Sequence, residues 1–391
     1  STINFYTPNV ELNTQYNSEQ DYIYELESII DESVKSRLIS DVEVGLFLSG
    51  GLDSSLVGHF AKKNDQTLNS FSISIEDEEL NEKNSFNFMN NHFGIKNNVI
   101  KLNSKIFNLR SEEIFKRLDE PIGAPTYLTM FFLSEFASIK LKVVLTGDGA
   151  DEIFGGYEVL AYQHIINLIN KLKINKFTNN SIKFFSGLFD KFLKDSMRFK
   201  LHRFSNGIKQ EEYLQNTSFF STVSFEDLND IFFKQTDNDE IFEDVINFDK
   251  KYSKYNSYQK SLLYFINFYI PNLICSRSDR AGMYNSLEIR SPFLNEKIVN
   301  FMLTIPPSKS YLLRDKTILK KIASRKIHKR FANLKKGGFT YPMNKWLEDV
   351  EYKKNLREMI NIKNVEFKKN NFNLEYRNFF HCMKVINNFV D

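Results

Sequence analysis

One stretch of the chain decides its fold: residues 42–55 read Val42-Glu43-Val44-Gly45-Leu46-Phe47-Leu48-Ser49-Gly50-Gly51-Leu52-Asp53-Ser54-Ser55. The run up to Leu48 is apolar enough for a buried strand and too short for a helix. Two glycines then mark a tight turn, and a helical pattern begins at Ser54 and continues to about Lys63. The stretch therefore predicts a strand, a turn and a helix in immediate succession.

The same alternation continues on both sides of this stretch. Apolar residues recur at helical spacing over 22–38, before the first strand. Further along, the pattern predicts strands at 68–75, 99–102 and 142–145 and helices near 81–92, 105–117 and 127–139. Strands that alternate with helices form parallel sheets, because the connecting helices cover both faces. We therefore predict an α/β fold with a parallel sheet flanked by helices.

The domain organisation follows from where the strand signals end. They vanish from about Glu158, and the rest of the chain reads as helical segments rich in Phe, Ile, Leu and Lys. A chain of 391 residues is long enough for two or three domains. We predict a linker-like segment over residues 1–20, an α/β core over 21–157 and a mostly helical region over 158–391.

Composition excludes several classes of protein. The chain is 42% hydrophobic with a net charge of +3, so it is globular and has no overall charge that would favour nucleic acids or membranes. Its two cysteines, Cys275 and Cys382, form no CxxC pair, which excludes a disulfide framework and a cysteine-rich zinc site. We expect a reducing, cytoplasmic setting, and we predict neither a signal peptide nor a membrane span.

The turn after the first strand has the composition of a phosphate-binding loop. Its two glycines let the backbone approach a phosphate closely, where the N–H groups and dipole of a helix N-terminus receive an anion. The hydroxyls of Ser49, Ser54 and Ser55 can donate to phosphate oxygens. Asp53 offers a hard oxygen ligand to the Mg²⁺ that accompanies a polyphosphate. The loop lacks the Gly-Lys-Ser/Thr ending of a Walker A motif and resembles the PP-loop of ATP pyrophosphatases, which cleave ATP between its α and β phosphates.

A second acidic segment follows the strand predicted at 142–145. It reads Thr146-Gly147-Asp148-Gly149-Ala150-Asp151-Glu152-Ile153-Phe154-Gly155-Gly156-Tyr157. The carboxyl ends of parallel strands are where α/β sheets bind ligands. Asp148 and Asp151 could therefore direct one carboxylate to the reacting atoms and the other to a metal shared with Asp53. An acidic turn or a helix N-cap is the alternative for this segment taken alone.

Four segments together resemble the synthetase domain of the asparagine synthetase family. In chain order they are the loop 49–55, the segment 146–157, Asp279-Arg280-Ala281-Gly282-Met283-Tyr284-Asn285-Ser286-Leu287-Glu288-Ile289-Arg290-Ser291-Pro292-Phe293-Leu294, and Lys335-Lys336-Gly337-Gly338-Phe339 with Pro342 and Trp346. The resemblance implies the PP-loop fold of adenine nucleotide α-hydrolases. It also implies that residues 279–346 of the helical region complete the active site.

The resemblance assigns roles to individual residues. It implies that ATP is bound by residues of the loop and of the neighbouring strand ends: Phe47, Ser49, Gly50, Gly51, Leu52, Asp53, Ser54, Ser55, Ile73, Thr146 and Gly147. It implies that Asp53 and Asp151 hold Mg²⁺ and that a lysine neutralises charge on the adenylylated intermediate. From its position three residues after the strand, we predict that Asp148 is catalytic. Lys335 and Lys336 are both candidates for that lysine, because an extra glycine shifts the alignment by one position.

The implied activity is that of an ATP- and Mg²⁺-dependent, AMP-forming carbon–nitrogen ligase. The family's glutamine-hydrolysing members begin with a glutaminase domain whose first residue is a catalytic cysteine, whereas this chain begins at Ser1 and reaches the loop by residue 49. We therefore expect one half of a split or processed enzyme. Its nitrogen would come from ammonia, from an amine substrate or from a separate glutaminase subunit.

The carboxylate substrate stays open. One branch of the family holds aspartate with an arginine where this chain reads Asp119-Glu120-Pro121-Ile122-Gly123-Ala124-Pro125-Thr126, so a cell-wall or sugar acid, or a peptide that is cyclised, is an alternative. Lactam synthetases resemble the chain less, since they place a tyrosine where Asp148 stands. A weaker alternative is a tRNA-modifying enzyme, suggested by the basic block 171–210, which the acidic block 211–250 nearly cancels. We expect no membrane or nucleic-acid partner, and self-association as a homodimer stays open.

Overall fold

A computed structural model describes residues 16–64, 68–75, 91–157 and 243–333, together with isolated positions elsewhere. The chain forms two compact units. The first consists of Ser1–Gly156 and Phe265–Trp346, and the second of Tyr157–Tyr264 and Leu347–Asp391. The first unit thus combines the residues predicted as linker and core with a part of the region predicted to be helical.

A five-stranded sheet forms the centre of the first unit, with the strand order β3-β2-β1-β4-β5. Its strands are β1 (Val44–Phe47), β2 (Asn69–Ile75), β3 (Lys96–Leu102), β4 (Val143–Leu145) and β5 (Glu288–Arg290). Every neighbouring pair is parallel. The predicted α/β class is therefore confirmed, and the first four strands lie where the sequence pattern predicts them.

The α-helices of both units largely follow the predicted pattern. They are α1 (Glu19–Arg37), α2 (Leu52–Asn64), α3 (Ser104–Phe115), α4 (Thr126–Ser138), α5 (Ala150–Ile153), α6 (Glu243–Lys251), α7 (Ser257–Tyr264), α8 (Ser276–Tyr284), α9 (Glu296–Thr304) and α10 (Thr317–Lys326), with a π-helix at Phe265–Cys275 and 3₁₀ turns at Pro292–Leu294, Pro307–Leu313 and Lys329–Asn333. The helix predicted near 81–92 lies mostly outside the described residues. Among the helices that the structure describes, none combines the length and apolar character needed to cross a membrane.

Helices cover both faces of the sheet. Leu46 contacts α2, where a Cβ on Gly58 would lie 2.9 Å from its Cδ2. Phe71 of β2 is the register partner of Phe47, so it faces the side opposite to Leu46. It packs against Phe136 of α4, with ring centroids 5.8 Å apart. Because α2 and α4 lie on opposite faces, the sheet is buried on both sides, as its near-continuous apolar strands require.

The prediction that no strand follows Glu158 is wrong at one place. Residues Glu288–Arg290 form β5, which pairs with β4 at the edge of the sheet. The N–H of Glu288 donates to Lys142 O at 2.8 Å, and the N–H of Thr146 donates to Arg290 O at 2.9 Å. Three residues are too few for a strand period to be visible, and this strand exists because its partner β4 lies beside it.

The strand order places a topological switch point between β1 and β4. From β1 the chain adds β2 and β3 on one side, and β4 then lies on the other side of β1. The two connections that leave the carboxyl ends of β1 and β4 therefore diverge and leave a crevice between them. Open α/β sheets bind their ligands in such a crevice.

Candidate active site

The loop between β1 and α2 is closed by its own serine side chains. The N–H of Ser49 donates to Ser54 Oγ at 3.2 Å, and the N–H of Gly51 donates to Ser49 Oγ at 3.1 Å. The two hydroxyls lie 3.0 Å apart. Gly50 has a φ of 78°, a conformation that favours glycine. The predicted phosphate loop is thus a compact turn at the N-terminus of α2, with its backbone bent by these contacts.

The segment after β4 lies directly against this loop. A Cβ on Gly147 would lie 2.9 Å from the Cβ of Asp53 and 3.0 Å from the backbone nitrogen of Ser54. Thr146, the residue before it, is buried. Two motifs that the sequence separates by about a hundred residues therefore touch, and a glycine is needed at 147 because a side chain would push the loop away.

The other predicted ATP-binding residues lie on neighbouring strands. Phe47 is the last residue of β1 and is buried. The strand β2 continues beyond the partner of Phe47, so Ile73 lies past the end of β1, where it is half-buried and pairs with Ile100 of β3. Phe47, Ile73 and Gly147 thus lie near the carboxyl ends of three neighbouring strands, and their role in ATP binding stays a prediction.

Asp53 and Asp151, the two predicted metal ligands, are brought together by a residue that sequence reasoning missed. The ammonium of Lys316 lies 2.5 Å from Asp53 Oδ2 and 2.8 Å from Asp151 Oδ1. The Lys316 side chain is 8% exposed, and those of Asp53 and Asp151 are 25% and 23% exposed. The three side chains form a cluster, hereafter the carboxylate–lysine cluster, beside the phosphate loop.

The charge state of this cluster follows from two opposing effects. Burial by itself would lower the pKa of the Lys316 ammonium, because a low dielectric disfavours charge. The negative charges of Asp53 and Asp151 outweigh burial, so the pKa of Lys316 lies above its ordinary value. The cluster therefore contains a protonated lysine between the two carboxylates.

Lys316 is held in place by an unusual turn. It precedes α10, and both it and Asp315 have left-handed backbone conformations, with φ of 53° and 51°. The N–H of Asp315 donates to Gly155 O at 2.9 Å, and the N–H of Lys316 donates to Phe154 O at 3.2 Å. Two successive non-glycine residues in this region are costly, and such conformations concentrate at functional sites.

No local signal identifies Lys316 in the sequence. The chain has 52 lysine and arginine residues, and a lysine before a helix fits many surface positions. The residue becomes distinct only because the turn that carries it is hydrogen-bonded to the turn after Asp151. A glycine at 156 is also needed there, since a Cβ on it would overlap the Asp151 carboxylate and the Lys316 side chain.

The two carboxylates of the cluster fit a magnesium ion that arrives with a polyphosphate. Asp53 and Asp151 supply hard carboxylate oxygens, the ligands that Mg²⁺ prefers. In the described ranges no group of three or more His, Cys, Asp or Glu side chains could hold a metal ion. Mg²⁺ is commonly held by one or two carboxylates and by substrate phosphates, so a two-carboxylate site next to a phosphate loop fits this mode of binding.

Asp148 belongs to a second, separate polar network. The Arg277 guanidinium donates to Asp148 Oδ1 at 2.9 Å and to Thr126 Oγ1 at 3.1 Å. Ser278 Oγ donates to Asp148 Oδ2 at 2.5 Å. The Arg277 side chain is 9% exposed. Both carboxylate oxygens of Asp148 are thus held in a fixed orientation by α8, and neither Arg277 nor Ser278 was singled out from the sequence.

The segment that begins at Asp119 also contacts α8. Arg280 Nε lies 2.5 Å from Asp119 Oδ1, and its Nη2 lies 2.8 Å from Glu120 Oε1. The hydrogen bond from Arg280 lowers the pKa of Asp119. In this chain a guanidinium therefore does lie beside the acidic segment, although it comes from a distant helix. The predicted catalytic lysines, Lys335 and Lys336, lie outside the described residues.

Comparisons with known proteins identify the family of this chain. Residues 25–383 match the model of the family described as Asparagine synthase. The chain is 27% identical over 347 residues to asparagine synthetase (glutamine-hydrolyzing) 1 of Bacillus subtilis (strain 168), covering 85% of this chain and 51% of that protein. A putative asparagine synthetase (glutamine-hydrolyzing) of Mycobacterium tuberculosis (strain ATCC 25618 / H37Rv) is 27% identical over 330 residues, with 84% and 49% covered.

A third relative matches over a shorter range at higher identity. The putative asparagine synthetase (glutamine-hydrolyzing) 2 of Methanocaldococcus jannaschii is 34% identical over 159 residues, covering 38% of this chain and 31% of that protein. This chain spans about half the length of the two relatives from B. subtilis and M. tuberculosis. Because the family model extends over most of the sequence, the resemblance drawn from the four segments is confirmed, and this chain belongs to the asparagine synthase family.

Proposed function

We propose that this chain is an ATP- and Mg²⁺-dependent ligase that activates a carboxylate as an acyl adenylate and converts it to an amide. The observation that carries the proposal is the contact between the phosphate loop and the carboxylate–lysine cluster at the switch point of the sheet. A polyphosphate at the N-terminus of α2 would meet the helix dipole and the backbone N–H groups of the loop. It would also meet the Lys316 ammonium, which lies 2.5 Å from Asp53 of that loop.

The first half of the reaction is an adenylyl transfer. A substrate carboxylate oxygen attacks the α-phosphorus of ATP, the bond from that phosphorus to the bridging oxygen breaks, and pyrophosphate leaves. The loop and Lys316 would stabilise the charge that develops on the pyrophosphate, because preorganised cations and N–H groups act strongly in a partly buried site. Mg²⁺ held by Asp53 and Asp151 would supply further neutralisation of the phosphate oxygens.

The second half of the reaction forms the carbon–nitrogen bond. Ammonia or an amine attacks the acyl carbon, the bond to AMP breaks, and the nitrogen loses a proton. We assign the acceptance of that proton to Asp148, whose carboxylate is oriented by Arg277 and Ser278 at 2.9 and 2.5 Å. One of Lys335 and Lys336 would neutralise charge on the intermediate, as the family resemblance implies.

The identity of the acid and of the nitrogen donor forms part of the proposal. We propose a carboxylate other than aspartate, either a cell-wall or sugar acid or a peptide that is cyclised. The segment 119–126 supports this choice, because it has no arginine where one branch of the family uses an arginine to hold aspartate. The nitrogen would come from ammonia, an amine or a separate glutaminase subunit.

Exchange of labelled pyrophosphate into ATP tests this function. The purified chain is incubated with Mg²⁺, ATP and a panel of carboxylates, and exchange is expected with one class of acid. AMP and pyrophosphate are the expected products, and ADP with phosphate would contradict the proposal. Asp53→Asn should abolish exchange because it removes the negative charge of a proposed Mg²⁺ ligand. Asp31→Asn is the matched control, since Asp31 pairs with Lys63 away from the site.

A further inference from the structure

The carboxylate–lysine cluster holds a cation of its own. Lys316 Nζ is within 2.5 Å of one carboxylate and 2.8 Å of the other, so the ammonium lies where both residues would otherwise share a bound cation. We propose that Lys316 is a built-in counter-cation that prevents Asp53 and Asp151 from binding a divalent metal until a polyphosphate draws the ammonium away. The polyphosphate part of this inference rests on the proposed function, whereas the exclusion of the metal does not.

Electrostatic repulsion and occupied carboxylate oxygens would exclude the metal from the cluster. Without Lys316 the two carboxylates would form a partly buried pair of like charges. Such a pair would attract a divalent cation strongly. The ammonium neutralises one of the two charges and takes a hydrogen-bonding position on an oxygen of each residue. A metal ion must therefore compete for these oxygens and also approach a positive charge in a site of reduced dielectric.

The position of Lys316 would allow a polyphosphate to draw its ammonium away from the carboxylates. Its side chain is long and joins a strained turn, while Asp53 belongs to the phosphate loop itself. A polyphosphate bound at this loop brings several negative charges to the vicinity of the ammonium. The ammonium can then exchange its carboxylate partners for phosphate oxygens by rotation of the side chain, which leaves both carboxylates to a metal. Metal binding thereby depends on the nucleotide.

Manganese binding without nucleotide tests the inference directly. Mn²⁺ is titrated into the purified chain and followed by electron paramagnetic resonance of the free ion. We expect the wild-type chain to bind weakly and Lys316→Met to bind at least about tenfold more tightly, a change of about 1.4 kcal/mol. The double variant Lys316→Met/Asp53→Asn should lose the gain. Equal affinities for the wild type and Lys316→Met would overturn the proposal.

Two further variants separate charge from side-chain size and from general effects. Lys316→Arg keeps the positive charge and should bind Mn²⁺ as weakly as the wild type. Lys320→Met is the matched control, because Lys320 lies one turn along α10 and pairs with Asp315 at 2.5 Å. It should leave Mn²⁺ affinity unchanged. A gain in Lys320→Met as large as that in Lys316→Met would show a nonspecific charge effect and would also overturn the proposal.

Folding provides an independent readout. Removal of Lys316 leaves two facing carboxylates without their cation, so Lys316→Met should unfold at a lower temperature than the wild type. Mg²⁺ or Mn²⁺ should restore this loss in the variant while changing the wild type little. If the variant is unfolded in metal-free buffer, its refolding on addition of Mn²⁺ supports the proposal and a failure to refold contradicts it. None of these measurements uses ATP, so they are distinguishable from a failure of pyrophosphate exchange.

Discussion

The guanidinium of Arg277 lies 2.9 Å from a carboxylate oxygen of Asp148, although 129 positions separate the two residues in the chain. The pair joins the acidic segment after β4 to helix α8 and is largely buried. Ser278, next to Arg277, holds the other carboxylate oxygen of Asp148. This arrangement orients Asp148 independently of the carboxylate–lysine cluster, so we expect mutation to separate the two halves of the proposed reaction.

Asp148→Asn should depress amide formation far more than pyrophosphate exchange. The amide keeps the size of the side chain but cannot accept the proton of the attacking nitrogen. General-base catalysis is worth roughly 10²- to 10⁴-fold, so the difference between the two assays is measurable. A parallel decline in both assays would assign Asp148 to ATP or metal binding instead.

Arg277→Met should destabilise the fold, because it leaves the Asp148 carboxylate without its positively charged partner. We expect a loss of about 3 kcal/mol in the free energy of unfolding, measured with urea. Adding Asp148→Asn should recover part of this loss, as a double-mutant cycle would show. Lys297→Met is the control, since its pair with Glu32 is exposed, and it should cost at most about 1 kcal/mol. Similar losses in the two variants would mean that the buried Arg277–Asp148 pair stabilises the fold no more than the exposed Lys297–Glu32 pair does.

Gly147→Ala should impair pyrophosphate exchange while the protein stays folded. The new Cβ would lie 2.9 Å from the Cβ of Asp53, so the phosphate loop must move. Displacements of this kind at a catalytic site cost roughly 10- to 100-fold in rate. Gly94→Ala is the control, because nothing lies within 4 Å of its Cβ and only its φ of 62° is unfavourable. It should lower stability by about 1 kcal/mol and spare exchange.

His59→Gln should reduce the dependence of stability on pH. Burial, with help from Lys326, His92 and Lys63 and against the opposing effect of Asp31, lowers the pKa of His59 to about 4 from an ordinary 6.5. Between pH 6.5 and about 4, His59 therefore binds a proton in the unfolded chain but not in the folded protein. The free energy of unfolding decreases as the pH falls through this range. Urea unfolding at about pH 7 and about pH 5 should show a smaller loss in the variant than in the wild type. Equal losses would contradict the lowered pKa.

The lysine that acts on the intermediate should be revealed by comparing Lys335→Ala with Lys336→Ala. A cation that acts mainly on the transition state changes kcat more than substrate affinity. One substitution should therefore cut amide formation sharply with little change in the KM for ATP, and the other should be mild. Small, equal effects of the two substitutions on amide formation would contradict a catalytic role for either lysine.

Much of the fold was predictable because its signals are local. The run from Val42 to Ser55 predicts a strand, a turn and a helix from residues that are neighbours in the chain, and β1 and α2 lie there. The same reasoning found β2, β3 and β4. It failed at β5, where three residues have no period of their own and form a strand only beside β4.

The sequence by itself determined the α/β sheet, the glycine- and serine-rich turn between β1 and α2 and the presence of acidic groups after two of its strands, because strand period, turn residues and motif spacing act over short distances. Only the tertiary structure decided which partners those acidic groups have. Lys316 reaches Asp53 and Asp151, and Arg277 reaches Asp148, from segments that are remote in the chain. Such pairs depend on which turns the topology brings together, and with 52 basic side chains available no local pattern distinguishes the two that enter the site.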